Sequence, residues 1–348
     1  MKVLTLARSL LMVGATLALL AVLPVSGAAL AQPAQTIKLK IADSLPTTHY
    51  VVLQAVRPWM DRVVQLSKTK VEFEYFPSEQ LGKLSDMVNL LRTGVADIAY
   101  TAPAAIPGDF PAHTFFMLPN VYHSSVEGTR YCQAMLKGGA LLEEFTKKGI
   151  RPLLAWVLPP GDIFTTKKAI VKPEDVKGMK IRTLGGTQDS AIKALGGVPV
   201  QIPAPDLYTS MQRGTVDGAI MVYSSAKSYK IHEIVKNATL GTGLGTGALA
   251  YAITEQTWQK LPADVREAMT KASEEIVTSL TKYVDDEDIQ TASFFEKAGV
   301  MINRPPKDEM PRWEQALSPL TEQWIKQMEG KGLAGQQVFD AYKKAAGR

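Results

Sequence analysis

The sequence predicts an α/β protein of two lobes with a long helix that reaches across both. Alternating strand and helix patterns fill the region from residue 36 to about residue 101, and a second such series follows residue 161. A long helical pattern then begins at Pro262. Alternation of strands and helices is typical of domains with a largely parallel sheet.

The N-terminus is typical of a secretory signal peptide over residues 1–31. Lys2 and Arg8 precede an apolar stretch over residues 10–23, and Ala29-Leu30-Ala31 is a small-x-small cleavage site. The stretch is short for a membrane span of roughly 20 residues, although an uncleaved anchor is the alternative. Cleavage leaves 317 residues and lowers the net charge from +5 to +3. That length predicts one large domain or two linked ones.

The first lobe is predicted from period-two alternation in strands and 3.6-residue spacing in helices. Pro159-Pro160-Gly161 then breaks the chain and marks a crossover. The elements expected before this break are strand 36–42, helix 50–66, strand 71–75, helix 81–91, strand 96–101, helix 125–149 and strand 152–158.

The second lobe is predicted from a shorter series of the same kind. Its elements are strand 180–183, helix 188–195, strand 198–202, helix 206–213 and strand 217–222. The Gly-rich stretch 241–247 is interpreted as a flexible connection, and strand 248–254 as the return to the first lobe. We therefore assign residues 32–158 with 248–348 to lobe I, and residues 159–247 to lobe II.

The long helical pattern runs from Pro262 to Ala298. At 1.5 Å per residue it is on the order of 50 Å long, which exceeds one small domain, so we expect it to brace both lobes. Two further amphipathic helices are predicted from Lys307 onward. Because clefts between domains are common ligand sites, we expect a ligand between the lobes.

The chemical motifs favour binding over catalysis. The basic residues are spread along the chain, which argues against a nucleic-acid surface. Cys132 is the only cysteine, so no intramolecular disulfide is possible. No Gly-x-Ser-x-Gly motif and no P-loop occurs. His232-Glu233 could begin the His-Glu-x-x-His motif of zinc proteases, but Lys236 stands in the place of its second histidine. Gly243 to Ala248 fits a dinucleotide motif but precedes a strand instead of a helix. We predict no enzyme activity, no cofactor and no metal.

Arg182 is the strongest candidate for a ligand contact. It lies within the short strand 180–183, near the expected cleft. A desolvated guanidinium needs an anion, and its planar fork matches a carboxylate with two parallel hydrogen bonds. The alternative is a structural ion pair with an internal Asp or Glu.

Other candidates lie near the ends of strands. His49 is in the loop after the first strand, where the carboxyl ends of α/β strands meet ligands. Trp156, Met221 and Tyr223 are predicted to line the cleft, with core packing as the alternative for each. Thr101, where its strand ends, is also predicted as a ligand contact.

Five collinear segments resemble the DctP-type solute-binding proteins of TRAP transporters. They span most of the chain after the signal peptide. The segments are Phe76-Pro-Ser-Glu-Gln-Leu-Gly82, Leu91-Arg-Thr-Gly-Val-Ala-Asp97, Pro173-Glu-Asp-Val-Lys-Gly-Met-Lys-Ile-Arg182, Ala194-Leu-Gly-Gly-Val-Pro199 and Tyr208-Thr-Ser-Met-Gln-Arg-Gly-Thr-Val-Asp-Gly218.

The resemblance implies a two-lobe periplasmic-binding-protein fold, type II-like, with a long lobe-spanning helix. It implies a periplasmic receptor that delivers a small organic acid to TRAP membrane permease subunits. We expect the protein to be a monomer. It also implies that the Arg ending Lys-Ile-Arg, here Arg182, pairs with the ligand carboxylate. An exported enzyme and a sensory receptor on the same fold are the alternatives.

Two departures from the family pattern bear on the ligand. Many members carry an Arg just before the Phe-Thr that opens the second lobe, whereas Asp162-Ile163 stand here, which places Asp162 near the cleft. Many members also follow Val-Asp-Gly with a polar pair, where this chain has Ala219 to Tyr223. Both departures favour a monocarboxylate with an apolar or aromatic body.

Overall fold

The computed structural model describes residues 36–348, so the predicted signal peptide lies outside the described residues. Within them the chain forms two mixed β-sheets covered by helices. None of the helices in this part of the chain combines the length and apolar character that a membrane span requires. The predicted α/β class is confirmed.

The first sheet has five strands in the order β2-β1-β3-β10-β4. β1 is parallel to β2 and β3, and β10 is antiparallel to β3 and β4. The strands are β1 (Ile37–Ala42), β2 (Val71–Phe76), β3 (Ile98–Tyr100), β4 (Ile150–Val157) and β10 (Ala248–Thr254). Leu39 and Ile41 of β1 are buried while Lys38 and Lys40 are exposed, as the alternating pattern predicts.

The second sheet has six strands in the order β11-β9-β5-β8-β6-β7. β6 is parallel to both of its neighbours, and β5 is antiparallel to β8 and β9. The strands are β5 (Asp162–Thr165), β6 (Lys180–Thr183), β7 (Val198–Gln201), β8 (Gly218–Met221), β9 (Asn237–Thr239) and β11 (Met301–Asn303).

The position of β11 differs from the predicted lobe assignment. We expected all of residues 248–348 in the first lobe, but β11 pairs in parallel with β9 at the edge of the second sheet. The long helix before β11 carries the chain from the first sheet to the second. Residues 248–348 therefore do not all belong to the first lobe. The remaining lobe boundaries stay a prediction.

Twelve α-helices surround the sheets in the described residues. They are α1 (Arg57–Leu66), α2 (Met87–Arg92), α3 (Ser125–Met135), α4 (Ala140–Thr146), α5 (Thr187–Ala194), α6 (Ala204–Gln212), α7 (Tyr223–Ser228), α8 (Glu255–Lys260), α9 (Ala263–Lys297), α10 (Met310–Leu317), α11 (Leu320–Gly330) and α12 (Gly335–Ala346). The predicted long helix is confirmed as α9, which has 35 residues and packs on α1, α3, α7 and β4.

Two predicted helices are each divided in the structure. The one expected over residues 125–149 is α3 and α4, separated at Gly139, whose φ of 76° does not fit a helix. The first of the two expected after Lys307 is α10 and α11, separated at Pro319. Ser318 and Pro319 keep helical backbone angles, but the proline nitrogen has no hydrogen to donate, so the helical hydrogen-bond pattern is interrupted there. Apolar spacing continues across both breaks, which is why periodicity alone predicts single helices.

Candidate ligand-binding site

A cavity is lined by residues of both sheets and their loops. Most of its walls are apolar, as is usual for small-molecule sites. Of the seven predicted site residues, the structure brings Arg182, His49 and Met221 together in this lining. Trp156, Tyr223, Thr101 and Asp162 lie elsewhere.

Arg182 is held in β6 between β7 and β8, and its side chain is only 3% exposed. Its Nε donates to the Ile202 carbonyl oxygen at 2.7 Å, and its Nη1 donates to the Ile220 carbonyl oxygen at 3.2 Å. Its Nη2 is buried and has no hydrogen-bond partner among residues 36–348. Two backbone carbonyls thus fix the guanidinium and leave one of its donors unused.

The charge of Arg182 has no counter-ion in the described part of the chain. No carboxylate there lies within ion-pair distance of it, so the alternative of an internal Asp or Glu partner is not observed. Burial lowers the pKa of Arg182 to about 10, with an opposing effect from Tyr229. The group therefore remains a cation at neutral pH. A buried, uncompensated cation is costly, and an anion in the cavity offsets that cost.

His49 supplies a neutral donor to the same cavity. Its Nδ1 accepts a hydrogen bond from the Val51 amide at 3.2 Å, and burial lowers its pKa to about 3. Because Nδ1 is an acceptor, the proton of the neutral ring lies on Nε2. Within residues 36–348 no acceptor pairs with Nε2. A short π-helical turn, Val52–Val56, follows this loop, and Pro58 in the first turn of α1 has no amide hydrogen to donate.

Tyr229 and Tyr50 belong to the lining but were not predicted. The His49 ring packs between them, with centroid distances of 5.1 Å to Tyr229 and 4.7 Å to Tyr50. Burial, with a further contribution from Asp43, raises the pKa of Tyr229, and the positive charge of Arg182, which lines the same cavity, acts in the opposite direction. Tyr50 adjoins His49 in the sequence, so the loop carried a signal for it, whereas Tyr229 follows a short helix that no pattern marked.

Trp156, Thr101 and Tyr223 lie outside the cavity lining, in the packed interior. The Trp156 ring is fully buried against Tyr251, with 6.2 Å between ring centroids. The Thr101 hydroxyl donates to the Ala250 carbonyl oxygen at 3.2 Å, and the Tyr223 hydroxyl donates to the Thr239 carbonyl oxygen. Polar atoms of Thr101 and Tyr223 are thus used internally. Core packing, the alternative given for Trp156 and Tyr223, describes where these two side chains lie.

Asp162 is also placed away from the cavity. Its Oδ1 accepts hydrogen bonds from the hydroxyl groups of Thr239 and Thr242, at 2.9 and 3.0 Å, and from the amides of Gly241 and Thr242. Burial raises its pKa to about 6, and these hydrogen bonds oppose the increase. The carboxylate therefore holds the turn at residues 239–242 together, where the sequence comparison predicted a ligand contact.

The Gly-rich stretch 241–247 is packed, so its interpretation as a flexible connection is wrong. A Cβ on Gly245 would lie 2.3 Å from the Met117 carbonyl carbon, and one on Gly247 would lie 2.6 Å from the Ala104 Cβ. Leu244 forms a β-bridge with Gly161. The glycines let this segment approach other backbone closely, which is a second common reason for glycine.

The sequence profile of bacterial extracellular solute-binding protein, family 7 (DctP), matches residues 41–327. The chain belongs to this family. The resemblance inferred from the five motifs is confirmed, and the family consists of solute receptors that act outside the cytoplasm. Within residues 36–348, no group of three or more His, Cys, Asp or Glu side chains could hold a metal ion.

Relatives and solved structures agree with this membership. A solute-binding protein of Albidiferax ferrireducens is 27% identical over 264 residues, which cover 74% of this chain and 77% of the relative. A TRAP solute-binding protein from Rhodoferax ferrireducens T118, in complex with copurified benzoate, is 25% identical with a TM-score of 0.82, covering 89% of this chain and 97% of that one.

A TRAP solute-binding protein from a marine metagenome is similar in fold. It is described as specific for aromatic acid ligands and contains metahydroxyphenylacetate. It is 24% identical with a TM-score of 0.83, and the match covers 89% of this chain and 98% of that chain. The likeness in fold to both structures, together with the two mixed sheets and the 35-residue helix of this chain, confirms the predicted fold.

Proposed function

We propose that this protein is the periplasmic receptor of a TRAP transporter and binds a monocarboxylate with an apolar or aromatic body. The observation that carries the proposal is the Arg182 guanidinium, which is 3% exposed and positively charged. It has an unused Nη2 donor and no counter-ion among residues 36–348. A ligand carboxylate supplies the missing charge and the missing acceptor.

In this proposal, donors from both lobes hold the ligand. The carboxylate accepts hydrogen bonds from Arg182 Nη2 and from the neutral His49 Nε2, which lie on opposite lobes. Leu45, Leu158 and Leu249 contribute apolar wall around the remaining space. Burial of the ligand body against these side chains contributes about 25 cal/mol per Å² of apolar surface removed from water. The charge thus orients the ligand, and the walls select its shape.

Binding between lobes links ligand capture to delivery. A ligand that contacts residues of both lobes favours the closed arrangement, which the membrane permease then recognises. The signal-peptide pattern at residues 1–31 supports export to the periplasm. The absence of nucleophile and zinc motifs from the sequence supports binding without catalysis.

Calorimetric titration of ligand-stripped protein with benzoate and phenylacetate tests the proposal. Mass spectrometry of any molecule that copurifies with the protein guides the choice of further acids. Loss of one partner of a buried charge pair costs about 2–5 kcal/mol, so Arg182→Met weakens binding by at least about 30-fold. Arg213→Met is the matched control, because it removes the same charge from an exposed position of the second lobe. Wild-type affinity in Arg182→Met contradicts the carboxylate assignment.

A further inference from the structure

Two hydroxyl groups form a second polar position in the cavity. Ser44 and Tyr50 both line it and are 2% and 6% exposed. Neither Ser44 Oγ nor the Tyr50 hydroxyl oxygen has a partner with hydrogen-bond geometry among residues 36–348. The hydroxyl groups of Ser225 and Ser224 lie near Tyr50, where they oppose the rise in its pKa that burial causes. Buried hydroxyl groups nearly always have a partner, so two unpaired ones beside one cavity indicate a polar ligand group that completes them.

Two other polar side chains of the lining, those of Gln188 and Thr246, already have hydrogen-bond partners within the protein. Gln188 donates from Nε2 to the Gly245 carbonyl oxygen at 3.0 Å and accepts from the Leu184 amide at 2.8 Å. The Thr246 hydroxyl donates to the Pro159 carbonyl oxygen at 2.7 Å. Tyr100, Ser225 and Tyr229 also line the cavity, but among residues 36–348 the lining hydroxyl groups that are both fully buried and without a partner are those of Ser44 and Tyr50.

The Tyr50 ring is fixed in place before any ligand binds. It is stacked on Tyr283 of α9, with 6.4 Å between centroids, and it packs on His49 at 4.7 Å. The Tyr50 backbone amide also donates to the Ser228 hydroxyl at 3.4 Å. A hydroxyl group held this way loses little freedom when it forms a hydrogen bond, which favours its use in recognition.

The charge distribution decides what kind of ligand group fits. Among the described residues 36–348, Arg182 is the only cation in the lining, since His49 is neutral. Asp43, next to Ser44, is buried and accepts hydrogen bonds from the hydroxyl groups of Tyr75 and Tyr251. A second ligand carboxylate would lack a counter-ion and would lie near this acid. A neutral hydroxyl group has neither problem.

We infer that the ligand carries one hydroxyl group on its body besides the carboxylate, and that Ser44 and Tyr50 bind it. The inference rests on the proposed function. Arg182 lies in β6 of the second sheet, whereas Ser44 and Tyr50 follow β1 of the first. The hydroxyl group of an aromatic acid therefore adds a contact with the first lobe to those that the carboxylate makes, so the spacing between the two groups determines which acid permits closure.

Titration of the stripped protein with benzoate, phenylacetate and the three ring-hydroxylated isomers of each tests this inference. At least one hydroxylated isomer should bind about tenfold more tightly than its parent acid, because a factor of ten corresponds to about 1.4 kcal/mol. Tyr50→Phe and Ser44→Ala should each reduce that preference to less than threefold, measured as the ratio of the affinities of the isomer and of its parent acid in the same variant. Tyr283→Phe is the matched control, since it removes a hydroxyl group from the ring stacked on Tyr50.

The outcomes separate this inference from the proposed function. If the parent acids bind through Arg182 and no isomer is preferred, or if the preference survives in the Ser44→Ala/Tyr50→Phe double variant, the hydroxyl position is wrong and the carboxylate anchor stands. If no acid binds, both fail. Thermal unfolding of each variant checks that it is folded. If Tyr50→Phe does not fold, the isomer preference of Ser44→Ala alone tests the inference.

Discussion

At the scale of single residues, two buried charges that the sequence placed near the cleft have opposite environments. Asp162 accepts four hydrogen bonds from the protein, whereas Arg182 donates only to two backbone carbonyls and keeps Nη2 unused. The first charge is therefore satisfied by the fold, and the second needs a ligand. Sequence motifs identified both positions, but the hydrogen-bond partners of each charge are seen only in the structure.

Asp162→Ala is expected to separate stability from binding. The substitution leaves the amides of Gly241 and Thr242 without their acceptor, and each buried unsatisfied group costs about 1–3 kcal/mol. We expect the free energy of unfolding in urea to fall by about 2–4 kcal/mol. We expect the benzoate affinity of the folded variant to stay within threefold of wild type, measured by calorimetry. A loss of affinity comparable to that of Arg182→Met would show that Asp162 belongs to the site after all.

At the scale of elements, the sequence predicts strands and helices well where periodicity is uninterrupted. β1 and α9 are examples, since their apolar spacing agrees with their observed burial. It fails where one residue overrides the pattern, as Gly139 and Pro319 do. It also cannot tell a glycine needed for flexibility from one needed for close packing, and that distinction decides the role of residues 241–247.

Gly245→Ala tests the packed interpretation of this stretch. The new methyl group would lie 2.3 Å from the Met117 carbonyl carbon and oxygen. Because these are backbone atoms, the clash cannot be relieved by a side-chain rotation of Met117. We expect a loss of at least about 3 kcal/mol in the free energy of unfolding, at the upper end of overpacking costs. Gly108→Ala is the control, because nothing lies within 4 Å of its Cβ position. Equal, small effects of the two substitutions would favour a flexible connection.

At the scale of the whole molecule, α9 is tied to both sheets by two acids one turn apart. Asp285 accepts from the amides of Ser125 and Val126, at 2.6 and 3.0 Å, at the start of α3, which packs on β4 of the first sheet. Asp288 accepts from the Ser224 amide at 3.1 Å at the start of α7, which follows β8 of the second sheet. A carboxylate at a helix N-terminus is stabilising, so α9 joins the lobes through two such contacts.

Asp288 is expected to make stability depend on pH. Burial, with a further contribution from Asp162, raises its pKa from 3.8 to about 7. Between these values the folded state holds a proton that the unfolded state has released, so the free energy of unfolding rises as pH falls from 8.5 to 6. Asp288→Asn keeps an acceptor for Ser224 but does not titrate. We expect it to show a smaller rise in urea denaturation over this range, and an unchanged rise would exclude Asp288 as its source.

The lobe assignment and the site show what the sequence leaves out at this scale. Motifs identified the family and Arg182, but β11 joins the second sheet through a pairing between residues 64 positions apart, Met301 with Asn237. Tyr229 likewise reaches the cavity only through the packing of α7. Such long-range contacts depend on how α9 and the sheets are arranged, and no local pattern encodes them.

The central claim is that Arg182 binds a ligand carboxylate. Calorimetric titration of ligand-stripped wild-type protein with benzoate and with benzamide at neutral pH tests it most directly, because the two molecules share a ring and differ in charge. We predict that benzoate binds at least about 30-fold more tightly than the amide and that Arg182→Met reduces this difference to less than threefold. Equal affinity for acid and amide in the wild type, or an undiminished difference in Arg182→Met, would contradict the claim.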